Sequence, residues 1–417
     1  MEFIVLPIIF MTILCSKYIH KNWINPHNAL ALPYFVIILI HKLYGESLGF
    51  YPISNKTMII VTIGIVLFFL GTSLTMLFKR NEYQSSSLSF LEYEDVFKFY
   101  RIKGMLNYAL IVVAISGIRT IYQIYRLGIR GLSDNEGLVI SGIIGHLMLT
   151  IYPIVPVLFF YWLKHRKTKY KWRILAITIC YIGMLFLTFV KYHVAGIIII
   201  IFLLSVNHEP KYFKKGVVIL STLVIGLFVL NYVAGFISAN IIKQVNRSFY
   251  TTHLWGYISG SLINSGKWIS GFPAATSSVP YKLLSYIFVL PNMFISTIFK
   301  ENLFPVASGV PMSIIGNNME TSNVVDAIST LYPSNGDALE VIFFSIAMIA
   351  LGGIFEYIFI KQKGRNSRLQ ISTAVIMTFM LFFSFFGTFY MNPMPWEIIV
   401  YSYIIIGLFD KRIRLKL

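Results

Sequence analysis

Arg119 interrupts an otherwise apolar run, and Arg126 and Arg130 follow it at i+7 and i+11. At 3.6 residues per turn those offsets return to within about 20° of one helix face, so the three guanidiniums could line a single stripe. Ionisable groups inside apolar runs are costly and for that reason informative. A guanidinium binds two oxygens at once and stays charged, which suits a diphosphate; snorkelling of Arg126 and Arg130 to a membrane interface is the plainer alternative. Lys191 and His193, in TFVKYHVAG, form a second cationic spot. Arg247 forms a third, in NRSFYTTHLWGY, beside Tyr250, His253 and Trp255. Further on, Glu320, Asn323 and Asp326 set two carboxylates beside an amide.

These types together suit the transfer of a sugar from a diphosphate to a hydroxyl. The leaving diphosphate needs cations, and the attacking oxygen needs a general base, for which a carboxylate or a histidine serves. The expected catalytic candidates are therefore Asp326, His253 and Glu320, and the expected diphosphate contacts Arg247, Arg119, Lys191, Arg126 and Arg130. Tyr250, Trp255, Trp268 and Asn323 are expected to hold the glycan, although rings of this kind also build aromatic belts at membrane interfaces. No HExxH, DxD or paired-histidine pattern accompanies the acids, so neither a metal nor another cofactor is expected. A Walker motif and GxGxxG are both missing, which disfavours ATP-driven transport by this chain alone. Cys15 and Cys180 lie inside apolar runs and offer no disulfide framework.

The elements that must position these residues are membrane helices. Of 417 residues, 57% are hydrophobic and 12% charged, and the mean hydropathy is +0.72; a soluble domain carries roughly 25% charged residues. Apolar runs long enough for a hydrocarbon layer of about 30 Å predict eleven spans in one integral membrane domain over 1–417. They cover residues 3–19, 29–44, 58–78, 105–126, 141–163, 174–190, 192–206, 217–236, 338–360, 369–391 and 396–409. The first run has Glu2 before it and no small-residue cleavage site after it, so it reads as a span and not as a cleavable signal. The net charge of +18 is mostly topological: the alternate connections at 17–28, 79–104, 164–173, 207–216 and 361–368, with the tail from 410, hold 24 of the 35 Lys and Arg. Cytoplasmic loops retain such residues, which places the N-terminus outside and the C-terminus inside and makes a nucleic-acid partner unnecessary to explain the charge.

Two stretches need the charge rule to place them. Residues 174–206, broken at VKYH, are expected as two short helices, because one helix of that length would put two basic loops on opposite faces. Residues 281–299 contain Lys282 and Pro291 and are expected as an interfacial or re-entrant segment. What remains is one large extracytoplasmic loop, 237–337, rich in rings, hydroxyls and amides, and a loop of that length usually has a function.

The stretch TSNVVDAISTLYPSNGDALEVIFFSIAMIALGG (321–353) resembles the asparagine-containing motif and helix entry of Wzy-type oligosaccharide repeat-unit polymerases, which build O-antigen and capsule. TFVKYHVAGIIII, RSFYTTHLWGYISG and the helix count with one dominant outer loop resemble that family too. The resemblance implies an all-α, GT-C-like membrane glycosyltransferase on the outer face of the bacterial inner membrane. It would join polyprenyl-diphosphate-linked oligosaccharides, with a flippase and a chain-length regulator as partners in the bilayer. An O-antigen ligase shares the architecture and differs in acceptor. A lipid-linked oligosaccharide flippase would move the same substrate, and a membrane acyltransferase would want a histidine-led motif that His20, His27 and His41 do not supply.

Overall fold

The first three apolar runs are helices whose starts or stops are readable residue by residue. Helix α1 (Glu2–His20) stops where Lys21 turns left-handed, at φ 51°. Helix α2 (Pro26–Ile40) starts with Pro26 in its first turn, where a missing N–H costs nothing, and with the Asn25 side chain accepting from the Asn28 N–H. Helix α3 (Asn55–Phe78) is capped in the same way by Ser54, which accepts from Thr57. After α3 the computed structural model describes residues 100–135, 138–188, 190–208, 213–218, 247–270, 278–301, 312–317, 320–333, 337–362 and 367–410, besides 1–79 and the single residues 222, 226 and 304.

The described helices continue as α4 (Ile102–Asp134), α5 (Gly142–Leu149), α6 (Ile154–Lys164), α7 (Lys171–Phe186), α8 (Lys191–His208), α9 (Arg247–Ile269), α10 (Val279–Ile287), α11 (Val289–Phe299), α12 (Ala327–Leu331), α13 (Ala338–Gln362), α14 (Ser367–Val375) and α15 (Pro393–Leu408). A two-stranded ribbon pairs β1 (Ser313–Ile314) with β2 (Thr321–Ser322), antiparallel. Among the described residues the chain is all-α apart from this ribbon and isolated bridges.

Among the described residues, seven helical stretches are long and apolar enough to cross a membrane: Phe3–His20, Pro26–Leu48, Asn55–Phe78, Ile102–Gly128, Gly142–Lys164, Ala338–Gln362 and Arg368–Phe385. Each matches one of the eleven expected spans. Tyr192–Val206 and Pro393–Leu408 are apolar but shorter, α7 likewise has 16 residues, and most of the expected span 217–236 lies outside the described residues. The break expected at VKYH is present between α7 and α8. The stretch 281–299 is two helices bent by 76°. Pro291 explains the bend, since it offers no N–H to the carbonyl four residues back and its ring would strike it.

The chain divides into two units, residues 1–87, 246–363 and 376–396 forming one and residues 88–245, 364–375 and 397–417 the other. In the first, α3 packs along α13, and glycines set how closely. A Cβ at Gly71 would strike the Ile349 carbonyl, and one at Gly352 the Phe68 carbonyl, so the two backbones touch, as small residues permit between membrane helices. The stretch expected as a large loop is mostly helical where it is described. Part of it sits beside the spans: a Cβ on Gly64 would meet Ile328 of α12, and Tyr34 of α2 reaches Asp326. Both partners lie eight or nine residues inside their helices, about 12–14 Å along the axis.

At the other end of this unit the basic ends of α1 and α13 meet in a buried polar group. His20 Nε2 lies 3.0 Å from Glu356 Oε2, both side chains fully enclosed. His20 Nδ1 lies 2.8 Å from the Ser16 carbonyl, which can only accept, so Nδ1 carries a proton.

In the second unit α6 packs on α7 and α8, and α8 on α14. Buried tyrosines tie them: Tyr152 donates to the His193 carbonyl at 2.6 Å and Tyr181 to the Met148 carbonyl at 3.1 Å. The last long span begins as α14, turns π-helical over Ile376–Leu381 and ends in a 3₁₀ turn at Phe382–Phe385.

Candidate functional site

Asp326 is the most tightly built of the expected site residues. It caps α12, its Oδ1 accepting from the Ser329 N–H at 3.0 Å. The same oxygen lies 3.0 Å from the Tyr34 hydroxyl, whose single proton it shares with the Ser384 carbonyl at 3.1 Å. Oδ2 accepts from the Ser265 hydroxyl at 2.5 Å. With 0% of its surface exposed and donors on both oxygens, the carboxyl is closed to an acceptor hydroxyl. It joins α2, α9 and α12, which is a positioning arrangement and not the general base expected.

The face of α9 that receives this segment is small and polar. Asn264 donates to the Val324 carbonyl at 3.1 Å, and Ser261 to the Phe385 carbonyl. At Gly260 an added Cβ would press on Ile315 and Ser322. None of these residues is among the expected site residues, although the sequence carries a signal for them. Gly256, Gly260 and Asn264, and Ser261 with Ser265, repeat at i, i+4 and so share one face.

The other expected residues of the first unit are distributed around this face. Asn323 is exposed just after β2, and Glu320 is half-buried just before it, with one carboxylate oxygen against Gly316. Trp255 is half-buried, edge-on to Tyr44 at 6.5 Å. Trp268 was expected to stack on a sugar, but its ring is 3% exposed, so its faces pack inside the protein. Arg247, Tyr250 and His253 lie in the first two turns of α9, and their side chains fall outside the described residues.

The arginine stripe is held only in part. Arg119 and Arg126 are on one helix, but Gly128 has φ 68° and ψ 170°, a left-handed break that ends the helical phase before Arg130, whose side chain lies outside the described residues. Arg126 is exposed. Arg119 is committed to the turn before α5, donating to the Ser141 carbonyl at 2.7 Å and the Leu138 carbonyl at 3.3 Å. Lys191 opens α8, and its side chain too lies outside the described residues. His193 is buried, Nδ1 lying 3.3 Å from the Thr188 hydroxyl.

One pair in the second unit carried no sequence signal. His146 of α5 places Nδ1 2.8 Å from Glu397 Oε2 of α15, and Tyr401 donates to the same oxygen at 3.3 Å. The partners are 251 positions apart, so only the fold reveals them. Among the described residues no three His, Cys, Asp or Glu side chains converge as metal ligands.

Comparison with family models, with characterised proteins and with solved structures finds no match to this chain.

Proposed function

We propose that this chain is a membrane glycosyltransferase that polymerises polyprenyl-diphosphate-linked oligosaccharide repeat units on the outer face of the bacterial inner membrane, for O-antigen, capsule or exopolysaccharide. The observation that carries the reading is the polar stretch 247–333. It is rich in hydroxyls, amides and rings, and among its described residues Asn264, Ser265 and Asp326 tie α9 and α12 to Tyr34 of the membrane helix α2. A glycan carried on a membrane lipid needs such a surface close to its anchor. In this reading the growing glycan leaves its lipid diphosphate and joins a hydroxyl of the incoming unit, and Arg247, at the start of α9, stabilises the departing diphosphate.

The test uses the full-length chain in phospholipid vesicles with a polyprenyl-diphosphate-linked repeat unit. A ladder of longer glycans is expected, and Arg247→Lys should lose most of it, because a point charge does not replace a planar fork. A substrate that stays one unit long overturns the reading. A lipid-linked oligosaccharide flippase is the second reading, favoured by the π-helical and 3₁₀ end of the Arg368–Phe385 span, since broken spans line transport sites. It predicts movement of the substrate across the vesicle without elongation.

A further inference from the structure

We infer that the groove between α3 and α13 binds one anionic glycerophospholipid of the outer leaflet, with its phosphate on Lys56 and one acyl chain along Ile59, Ile60 and Ile63. This site goes beyond the glycosyl-transfer reading and does not depend on it.

The groove is a cavity of about 170 Å³ that lies wholly in the first unit. Lys56, Ile59, Ile60 and Ile63 line it from α3 at i, i+3, i+4 and i+7, so they share one helix face and cover about 10 Å of the axis. Phe344 lines it from α13, and Tyr332, edge-on to that ring at 5.3 Å, from the turn before α13. Ile60 and Phe344 are buried whereas Ile59 and Ile63 are exposed, which gives the groove a closed floor and an open side. The hydroxyl of Ser345 is turned onto the Val341 carbonyl of its own helix. Below Lys56 the two helices therefore line it with hydrocarbon.

Both helices are long and apolar enough to cross a membrane, and at that depth the solvent is lipid chains. A partner helix, about 10–12 Å across with its side chains, is too thick for this cavity, whereas a single hydrocarbon chain fits it. The charge sits at one end. Lys56 is in the first turn of α3, where a helix favours anions, and the charge rule puts the starts of α3 and α13 on the outer side. Its ammonium has three protons to donate and gives one, to the Ile269 carbonyl at 3.2 Å, with no second partner among the described residues.

The other charged groups beside the groove are committed elsewhere. Glu340 accepts from the Val279 N–H at 2.6 Å, and Lys282 donates to the Tyr332 carbonyl at 3.3 Å. One open ammonium matches the single charge of a phosphodiester and not the larger charge of a diphosphate. The 23-residue α9 also sets Arg247 about 33 Å along its axis from Ile269, so this lipid is not the one whose diphosphate Arg247 would meet.

The experiment is thermal melting of the full-length chain in detergent with added dioleoylphosphatidylglycerol, since whatever binds only the folded state raises its melting temperature. A saturable rise is expected, with little from dioleoylphosphatidylcholine and none from glycerophosphate, which brings the phosphate without the chain. Lys56→Gln should raise the half-saturating lipid concentration about tenfold, the usual worth of one hydrogen bond to a charged group. Lys56→Arg should stay near the parent, and Ile63→Trp, which fills the groove, should remove the saturable rise. Parental titration by both Lys56→Gln and Ile63→Trp overturns the site, because lipid spread over the whole surface behaves that way. Should the tryptophan variant not fold, Lys56→Gln, at an exposed position, decides alone. Saturation by glycerophosphate would make this a phosphate site without a chain, and a polyprenyl phosphate that saturates at lower concentration and blocks phosphatidylglycerol would give the groove to an isoprenoid; either result overturns the phospholipid.

Discussion

Asp326 receives hydrogen bonds from three elements at once, so its removal takes the acceptor from the buried Ser329 N–H and leaves Tyr34 and Ser265 only the Ser384 and Ser261 carbonyls. Asp326→Ala should lower stability by about 1–3 kcal/mol, the usual cost of leaving a buried donor without its acceptor. Asp326→Asn, which keeps one acceptor oxygen, should recover part of that. Thermal melting in detergent reads the difference, and an alanine variant as stable as the parent would show that the network is unimportant. The residue type was legible in the sequence and its role was not. A carboxylate near an asparagine reads as a base until the fold supplies Tyr34 and Ser265, each far away along the chain. Arg119 misleads in the same direction: its depth in an apolar run suggests a ligand, but the carbonyls of Leu138 and Ser141 use it to close a turn. The His146–Glu397 pair had no sequence signal at all, because neither residue stands in a motif.

At the scale of elements, the joint between α3 and α13 is fixed by glycine. Gly352→Val would press a branched side chain onto the Phe68 carbonyl, and overpacking commonly costs about 1–3 kcal/mol. Reduced melting temperature and poor accumulation in the membrane are expected; a Gly352→Val chain with parental melting would mean the two helices can slide apart freely. Helices were the most legible part of the sequence, because a span must satisfy every backbone group internally and needs a long apolar run to do so. The stretch 237–337 was the least legible. Its low charge and scattered Gly and Ser suggest an outer loop, whereas the i, i+4 spacing of Gly256, Gly260 and Asn264 builds the face of α9 that receives the ribbon and α12. A polar helix that packs on polar backbone does not present the apolar periodicity by which helices are read.

Over the whole molecule, the uneven placement of Lys and Arg predicts which ends face the cytoplasm. With Cys15 and Cys180 changed to alanine, a cysteine at exposed Ser47 should react with an impermeant thiol reagent in intact spheroplasts, and one at exposed Lys169 only after permeabilisation. The reverse pattern would invert the orientation and put residues 247–333 on the cytoplasmic side. Polymer formation should also persist in excess EDTA, with cationic side chains and not an ion neutralising the diphosphate; loss with chelator and return with magnesium would assign that work to a metal. The His20–Glu356 contact has a consequence for biogenesis. Its histidine is on α1 and its glutamate on α13, 336 positions later along the chain. At roughly 5–20 residues per second, the histidine waits some tens of seconds before Glu356 is made. Helix α1 is therefore made early but seated late, and a chain cut off before α13 would lack the contact that seats the His20 end of α1.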